Sequence, residues 1–509
     1  MDFPLPASLI VAAAFILVTF FFLFRNKEGV PEAGLAWPII GHFHLLGGND
    51  RMPHKVLGDL ADKYGPLFRM RLGAHQVLVV SDSHTAKQCL QGPNDRALAG
   101  RPKAIASDHI GYNYADFGLA PHGQFWRDVR KAVMLELLSN RRVEALRRFR
   151  ELGAKTFVQD IYSSWANQKN QSNVVEVDMK ELFGKLIIDS MLHLLFGHRY
   201  EEVGRWVTAT FRRTFELLGM SLVGDFLPWL RWLDIGGYEK AIKENTKEMD
   251  RVMQDWLQQH KNKTTNEQDQ QDFMEAFLSQ IHRNKDILNG FDSDTVVKAT
   301  CTALLAAGTD TTSTMLTWGL SLILNNDNVL EKIQGELDNV VGRERHVNES
   351  DLGNLTYFQA VIKETFRLYP PGPLLIPHEA MEDCMIKGYH VSKGTRVLIN
   401  VSKIQRDPNF WADPDAFKPE RFLMEHKDID LRGNHFDLIP FGSGRRICPG
   451  MSLALQSVQL GLAAVIHSFD IKRSSDEPID MTEANGLAVG KATPLQVLLS
   501  PRLPSHLYI

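Results

Sequence analysis

Hydrophobic and polar positions divide the chain into three regimes. From Leu5 to Phe24 the sequence LPASLIVAAAFILVTFFFLF runs without a charge. At about 1.5 Å per residue that length matches the roughly 30 Å hydrocarbon core of a bilayer. A cleavable signal peptide is the rival reading, but it needs a basic leader and a shorter apolar stretch ending at small residues. Here Asp2 precedes the run and Arg25 and Lys27 follow it. The expectation is a membrane anchor over residues 1–25, with everything after it in the cytosol. Residues 26–50 carry Pro31, Gly34, Pro38 and Gly41 and predict a stiff, extended hinge. Residues 51–509 form the folded body. Alternation over Leu67–Leu72 and Gln76–Val80, split at Gly73, predicts a hairpin. Helical spacing over Asp294–Leu324, Val329–Val340 and Leu355–Leu368 predicts helices, the last stopping before Pro370 and Pro371. Gln258–Asp272 is polar enough for a surface connection. No repeat or compositional break divides the body, so one mainly α domain with minor β is expected.

Composition narrows the class. With 44% hydrophobic and 23% charged residues in 509, the chain is close to an average globular protein and unlike a disordered or polytopic membrane one. Lys+Arg minus Asp+Glu is 57 − 61 = −4, which leaves no excess positive charge for nucleic acid. Cys89, Cys301, Cys384 and Cys448 are too few and too scattered for a disulfide framework, and none forms a C-x-x-C pair. They suit a reducing compartment.

Three segments of the C-terminal half carry chemistry. In FGSGRRICPG, Phe441–Gly450, a cysteine precedes the apolar helical stretch MSLALQSVQLGLAAVI. A helix start favours thiolate, the metal-binding form, while Gly442, Gly444 and Gly450 allow the backbone to bend around the sulfur and Pro449 suits an early helical position. The second segment, Ala306-Ala307-Gly308-Thr309-Asp310-Thr311-Thr312, puts weak helix formers inside a long apolar helix. Glycine alone costs about 1 kcal/mol there. Small residues at Ala307 and Gly308 would admit a flat cofactor, and Asp310 and Thr311 supply a carboxylate and a hydroxyl. Threonines bonding back to carbonyls four residues earlier are the structural alternative. In the third, Glu364 and Arg367 share a helix face at i, i+3, and FKPERF, Phe417–Phe422, follows.

These motifs, F-x-x-G-x-R-x-C-x-G above all, resemble the cytochrome P-450 superfamily in order and spacing, and with anchor and hinge the resemblance covers essentially the whole chain. It implies the cytochrome P-450 fold preceded by a single N-terminal transmembrane helix. It implies haem b held by Cys448 as axial thiolate, in a loop shaped by Phe441, Gly444 and Gly450. Trp126, Arg130, His378 and Arg446 match the contacts to the haem propionates, and Asp310 and Thr311 match the acid and alcohol that relay protons during oxygen activation. Glu364, Arg367 and Arg421 fill a buried structural network. By family position Ala307, Leu374, Leu375, Ile376 and Leu487 line an apolar substrate pocket. DFLPWLRWLDIGGYEK, PHEAMEDC and KIQRDP look like the plant microsomal branch that oxidises flavones, terpenoids and alkaloids.

The implied reaction puts one atom of dioxygen into a C–H bond of such a metabolite, at the endoplasmic reticulum membrane. No G-x-G-x-x-G opens a helix, so electrons would come from NADPH through a partner, NADPH-cytochrome reductase. Arg127, Arg130, Lys131, Arg141, Arg142, Arg147 and Arg148 offer it a basic surface. The alternatives are a haem-thiolate isomerase or dehydratase, against which the intact Asp310-Thr311 pair speaks, and a non-catalytic haem protein. GLAVGKA, Gly486–Ala492, has the wrong spacing for a phosphate loop. Departures from the family pattern are the missing double proline in PEAGLAWP, Ser402 in place of tryptophan and Asp327 in place of proline.

Overall fold

The computed structural model describes residues 29–46, 52–169, 173–198, 203–262, 271–486 and 488–509. The expected anchor, the end of the hinge and Leu487 lie outside them. In chain order the elements that position the site are β1 (Leu67–Leu72), β2 (His75–Val80), α1 (Gln124–Val133), α2 (Arg147–Gln168), β3 (Val175–Asp178), α3 (Met179–Phe196), α4 (Tyr238–Asn262), α5 (Ser293–Leu324), α6 (Thr356–Leu368), β4 (His378–Glu379), β5 (Arg396–Ile399), α7 (Met451–Ser468), β6 (Phe469–Arg473), β7 (Glu483–Ala484), β8 (Gly490–Lys491) and β9 (Gln496–Pro501).

The axis of the body is α5, apolar on every face because α3, α4, α6 and α7 pack around it. Its start is fixed by Asp292, whose carboxylate accepts the Thr295 N–H at 3.0 Å. At the crossing with α7 the two helices trade glycines. A Cβ on Gly319 would lie 2.7 Å from Leu462 Cδ1, and one on Gly461 would lie 3.0 Å from Leu316 Cδ2. Met451–Ser468 is apolar and long enough to cross a membrane, yet it is mostly buried inside this core.

A four-stranded sheet in the order β1-β2-β5-β4 flanks the helices. The hairpin register pairs Leu67 with Val80 and Leu72 with His75. β2 runs parallel to β5, with Val77 opposite Arg396. A second, antiparallel sheet, β3-β9-β6, ties the C-terminus to the start of α3. The described part of the hinge lies against the hairpin: Ala33 N–H donates to the Arg69 carbonyl at 3.0 Å and Arg71 N–H to His42 Nδ1 at 2.8 Å.

Three local expectations are refined. Within the polar stretch Gln258–Asp272, residues to Asn262 continue α4, and Asp272 caps the helix Phe273–Arg283 through the Glu275 N–H. Asp327 opens the helix Asp327–Val340, where a carboxylate meets the positive helix end. Ser402 accepts from Arg406 Nη1 at 3.0 Å, so a polar contact occupies the place of tryptophan packing.

Candidate active site

Cys448 is half-buried at the end of a loop closed by its own N–H, which donates to the Phe441 carbonyl at 3.0 Å. Gly444 sits at φ +67, and a Cβ there would meet the Leu90 carbonyl oxygen at 2.1 Å. Both the left-handed backbone and the close approach demand glycine. Arg445 N–H donates to Asp95 Oδ1 at 3.0 Å, and Ser443 Oγ to the Gly433 carbonyl at 2.7 Å. Phe441 packs on Phe366 of α6, ring centres 5.0 Å apart. Helix α7 then starts at Met451 with Gly450 as its N-cap, two residues past Pro449. Burial pushes the Cys448 thiol up, while the N–H groups of Gly450 and Met451 and the Arg130 guanidinium pull it down. The net shift is upward, so the thiolate needs a further positive partner, which a coordinated metal supplies.

Beside this loop lies a cage of cations. Arg130 Nη2, from α1, donates to the Ile447 carbonyl at 2.6 Å. Arg446 donates through Nε to Ala99 at 2.8 Å and through Nη2 to Ala120 at 2.6 Å. Both guanidinium groups face the Trp126 ring, at 5.5 and 4.5 Å. Arg101 Nη1 donates to the carbonyls of Ile376 and Pro377 at 2.7 and 2.9 Å. Burial, then mutual repulsion, lowers Arg101 to about 9 and Arg446 to about 10. Trp126 Nε1, Arg446 Nη1, Arg101 Nε and His122 Nε2 are buried without an acceptor. Like charges around unpartnered donors beside a cysteine at a helix start fit one group well: a flat metal macrocycle carrying carboxylates, such as haem. Among the described residues, Asp116 is the carboxylate that acts on Arg446 in this cage. Burial lifts it to about 6, although the N–H groups of Gly118 and Leu119 donate to its Oδ1.

His378 behaves differently from the other expected propionate contacts. Burial and the Arg101 charge lower it to about 3. The ring is therefore neutral, and Nδ1 lies 2.8 Å from the Leu98 carbonyl, which fixes the proton there. Nε2 is left as an acceptor and would donate to a carboxylate only after taking up a second proton.

On α5, Thr311 Oγ1 donates to the Ala307 carbonyl at 2.6 Å. The structural alternative for the threonines is thus present here, and it has a chemical consequence. With its own hydrogen committed, the Thr311 oxygen accepts, so it holds a protonated group in place and does not deliver a proton itself. Asp310 Oδ2 accepts the Ala488 N–H at 2.9 Å. Burial raises Asp310, offset by that N–H and by the Lys180 charge. Ala307 is exposed on the helix, whereas a Cβ at Gly308 would strike Met191 Cε of α3 at 2.7 Å. Gly308 therefore also gives the Met191 side chain of α3 room against α5. Thr312 is buried.

Glu364, Arg367 and Arg421 come together with almost no exposure. Arg367 Nε and Nη2 donate to Glu364 Oε2 and Oε1 at 2.7 and 2.8 Å, and Arg421 Nε to Oε1 at 3.0 Å. The remaining donors of Arg367 reach the carbonyls of Gln405, Pro414 and Ala416. Of the expected pocket residues, Leu374 and Leu375 are half-buried and Ile376 is 52% exposed. Leu375 has φ +52, and its Cδ1 lies 3.6 Å from where a Cβ of Gly442 would be, so it abuts the cysteine loop.

Sequence reasoning missed Arg101, His122, Asp116 and Ala488. A signal existed for Arg101 and Asp116: each is a charge in an apolar stretch, ALAGRPKAIA and NYADFGLA. Ala488 left none, because it contributes only its backbone.

A cysteine at a helix start beside a cage of unpartnered donors defines the site of a haem-thiolate protein. The family model of cytochrome P450 matches residues 31–499. The chain is 48% identical over 489 residues to strychnine-10-hydroxylase of Strychnos nux-vomica, covering 94% of this chain and 92% of the relative. It is 44% identical to flavonoid-6-hydroxylase of Mentha piperita, covering all of both chains, and 42% identical to a xanthotoxin 5-hydroxylase of Arabidopsis thaliana, again over the full length of both. A zebra fish cytochrome P450 solved with progesterone superposes with a TM-score of 0.76 at 26% identity, covering 89% of this chain and 100% of that one. The chain belongs to the cytochrome P450 family. It is a monooxygenase of that family with plant hydroxylases among its relatives, and the family implies haem, a redox partner, dioxygen and a small substrate.

Proposed function

We propose that this chain hydroxylates an apolar plant metabolite of the flavonoid, coumarin, alkaloid or terpenoid classes at the endoplasmic reticulum membrane, with electrons from NADPH through NADPH-cytochrome reductase. The observation that carries the haem assignment is the set of buried, acceptorless donors next to Cys448. The substrate classes are supported by the full-length likeness to hydroxylases of a flavonoid, a coumarin and an alkaloid.

Haem, when bound, supplies the oxygen-activating and electron-accepting chemistry. Cys448 would provide its thiolate ligand, with Arg130 and the start of α7 favouring the ionised sulfur. Arg101, Arg446, Trp126 and His122 would donate to the propionates, relieving the repulsion among the guanidinium groups. Thr311 accepts and holds a proton donor, and Asp310 is the carboxylate that takes up and releases protons beside it. Ala307, Leu374, Leu375, Ile376 and Leu487 are assigned to the apolar wall that orients the substrate C–H bond.

The reductase would meet the surface around α1. Arg127, Lys131, Arg141 and Arg148 are exposed there, and Leu135 is 52% exposed among them. Arg142 is half-buried and donates to the Glu136 carbonyl at 2.9 Å, so it contributes less.

Titrating the purified haem protein with flavones, coumarins, alkaloids and terpenoids should shift its spin state for one class. That class should then yield a hydroxylated product only when reductase and NADPH are present. Product formed without NADPH would instead identify an isomerase or dehydratase, and no NADPH consumption with any ligand would identify a binding protein.

A further inference from the structure

Asp310 is already assigned a place in proton handling, but its carboxylate hydrogen bond points elsewhere. Oδ2 accepts from the backbone N–H of Ala488, a residue 5% exposed in the loop between β7 and β8. The same loop meets α5 twice more. Trp318 Nε1 donates to the Val489 carbonyl at 3.0 Å, and a Cβ on Gly490 would lie 3.4 Å from Thr314 Oγ1. Asp310, Thr314 and Trp318 are spaced four residues apart and so share one stripe of the helix. On its other side the loop is held by Val489 N–H, which donates to the Pro371 carbonyl at 2.9 Å, three residues before Leu374.

The other bonds of the hairpin hold its base and not its tip. Gly490 pairs with Ala484 and Lys491 with Glu483, Ala492 N–H donates to the Thr482 carbonyl at 2.8 Å, Lys55 meets Glu483 at 2.8 Å, and Lys180 Nζ donates to the Lys491 carbonyl at 2.6 Å. The backbone donors of Ala488 and Val489 and the acceptor of Val489 all go to α5 or to the Pro371 turn, so the loop's position is set by its partners and not by its own secondary structure. Asp310 is the only one of these partners that is ionisable. A carboxylate is also a stronger acceptor for an N–H than a neutral group.

We propose that Asp310 is a positioning residue for substrate selection as well as a proton-handling group: its carboxylate clasps the β7–β8 loop against α5 through Ala488 N–H and thereby sets the wall of the substrate pocket at that loop. The clasp ties the geometry of the pocket to the group that moves protons. The link to substrate rests on the proposed reading that this loop borders the pocket; the clasp itself is measurable without turnover.

The test compares Asp310→Ala with Asp310→Asn in the haem-loaded full chain, using amide hydrogen exchange over residues 483–492 and titration with the azole clotrimazole. Asparagine keeps an acceptor oxygen for Ala488 N–H, and alanine does not. Asp310→Ala should speed exchange of the Ala488 and Val489 amides about tenfold and weaken clotrimazole about five- to twentyfold, in line with the loss of one hydrogen bond. Asp310→Asn should leave both near the parent values while still slowing NADPH-supported turnover. Parent-like exchange and clotrimazole binding in Asp310→Ala would overturn the clasp, as would equal loosening in both variants. Full turnover in Asp310→Asn with the loop still protected would instead remove the proton-handling assignment and leave the clasp standing.

Discussion

Replacing Arg367 by lysine keeps the charge and removes the geometry. All five N–H groups of Arg367 are used: two on Glu364 and one each on the carbonyls of Gln405, Pro414 and Ala416. Lysine offers three donors from a single nitrogen, so at least two of the five bonds are lost and the rest must be made from one point. Each buried acceptor left unpaired costs about 1–3 kcal/mol. The guanidinium's place over the Trp411 ring, 5.2 Å from its centre, goes as well. Arg421 already shares two of the acceptors, Glu364 Oε1 through Nε and the Ala416 carbonyl through Nη2, so those at risk are Glu364 Oε2 and the carbonyls of Gln405 and Pro414, which three separate N–H directions of the guanidinium now reach. The expected loss for Arg367→Lys is roughly 3–5 kcal/mol, similar to breaking a buried ion pair and a large share of the 5–15 kcal/mol that holds most domains folded. Urea unfolding of the haem protein, followed in parallel by near-ultraviolet circular dichroism and by the thiolate-type band of the reduced carbon monoxide complex, should show a much lower midpoint in both signals. A parent-like midpoint in Arg367→Lys would refute the reasoning, because it would mean that the count of satisfied donors carries no energy at this site.

Cys448→Ala should abolish the thiolate-type carbon monoxide band, while alanine at Cys89, Cys301 or Cys384 leaves it intact; a band surviving without Cys448 would sink the ligand assignment. Thr311→Ala should still bind haem and substrate but divert a larger fraction of NADPH into hydrogen peroxide, read as the ratio of product to NADPH; unchanged coupling would give its role to another acceptor. Asp116 is raised from 3.8 to about 6, so its stability contribution is present below about pH 4 and lost as pH rises through 6. Asp116→Asn mimics the protonated form, and its stability relative to the parent should therefore be level near pH 4 and grow to about 3 kcal/mol above pH 7; a difference that does not vary with pH would contradict this. Reversing Lys131 and Arg141 to glutamate should slow reductase-supported turnover and flatten its salt dependence while peroxide-supported turnover survives, and equal losses in both would argue against electrostatic docking.

Much of the frame was readable from local pattern. The hairpin at Leu67–Val80 and the helices ending at Leu324, Val340 and Leu368 follow from periodicity and from Pro370, and α5 starts one residue before the expected Asp294. Glu364, Arg367 and Arg421 converge because i, i+3 spacing fixes two of them on one helix face and FKPERF delivers the third. What escaped depends on approach from a distance. Gly308 reads the same whether it faces a cofactor or Met191, since a missing side chain does not name its neighbour. Ala488 acts through a backbone N–H, which every residue but proline carries. His378 was legible as a candidate, but its neutral state comes from burial and then from Arg101 and Arg446, none of which its sequence neighbours reveal. The segment GLAVGKA, dismissed as a phosphate loop, supplies the partner of Asp310.

The carbonyls that Arg367 and Arg421 collect belong to residues 405–416, a stretch with no helix or strand of its own. Side chains there do what a ladder does elsewhere, and the donors on Arg367 come from 38 to 49 residues away. Closing loops of that length costs entropy before any bond rewards it. The expected order is that α6 forms before residues 405–422 settle on it. Pulse-labelling hydrogen exchange during refolding should find the Gln405 to Phe422 amides protected after those of α6, and the reverse order would contradict this.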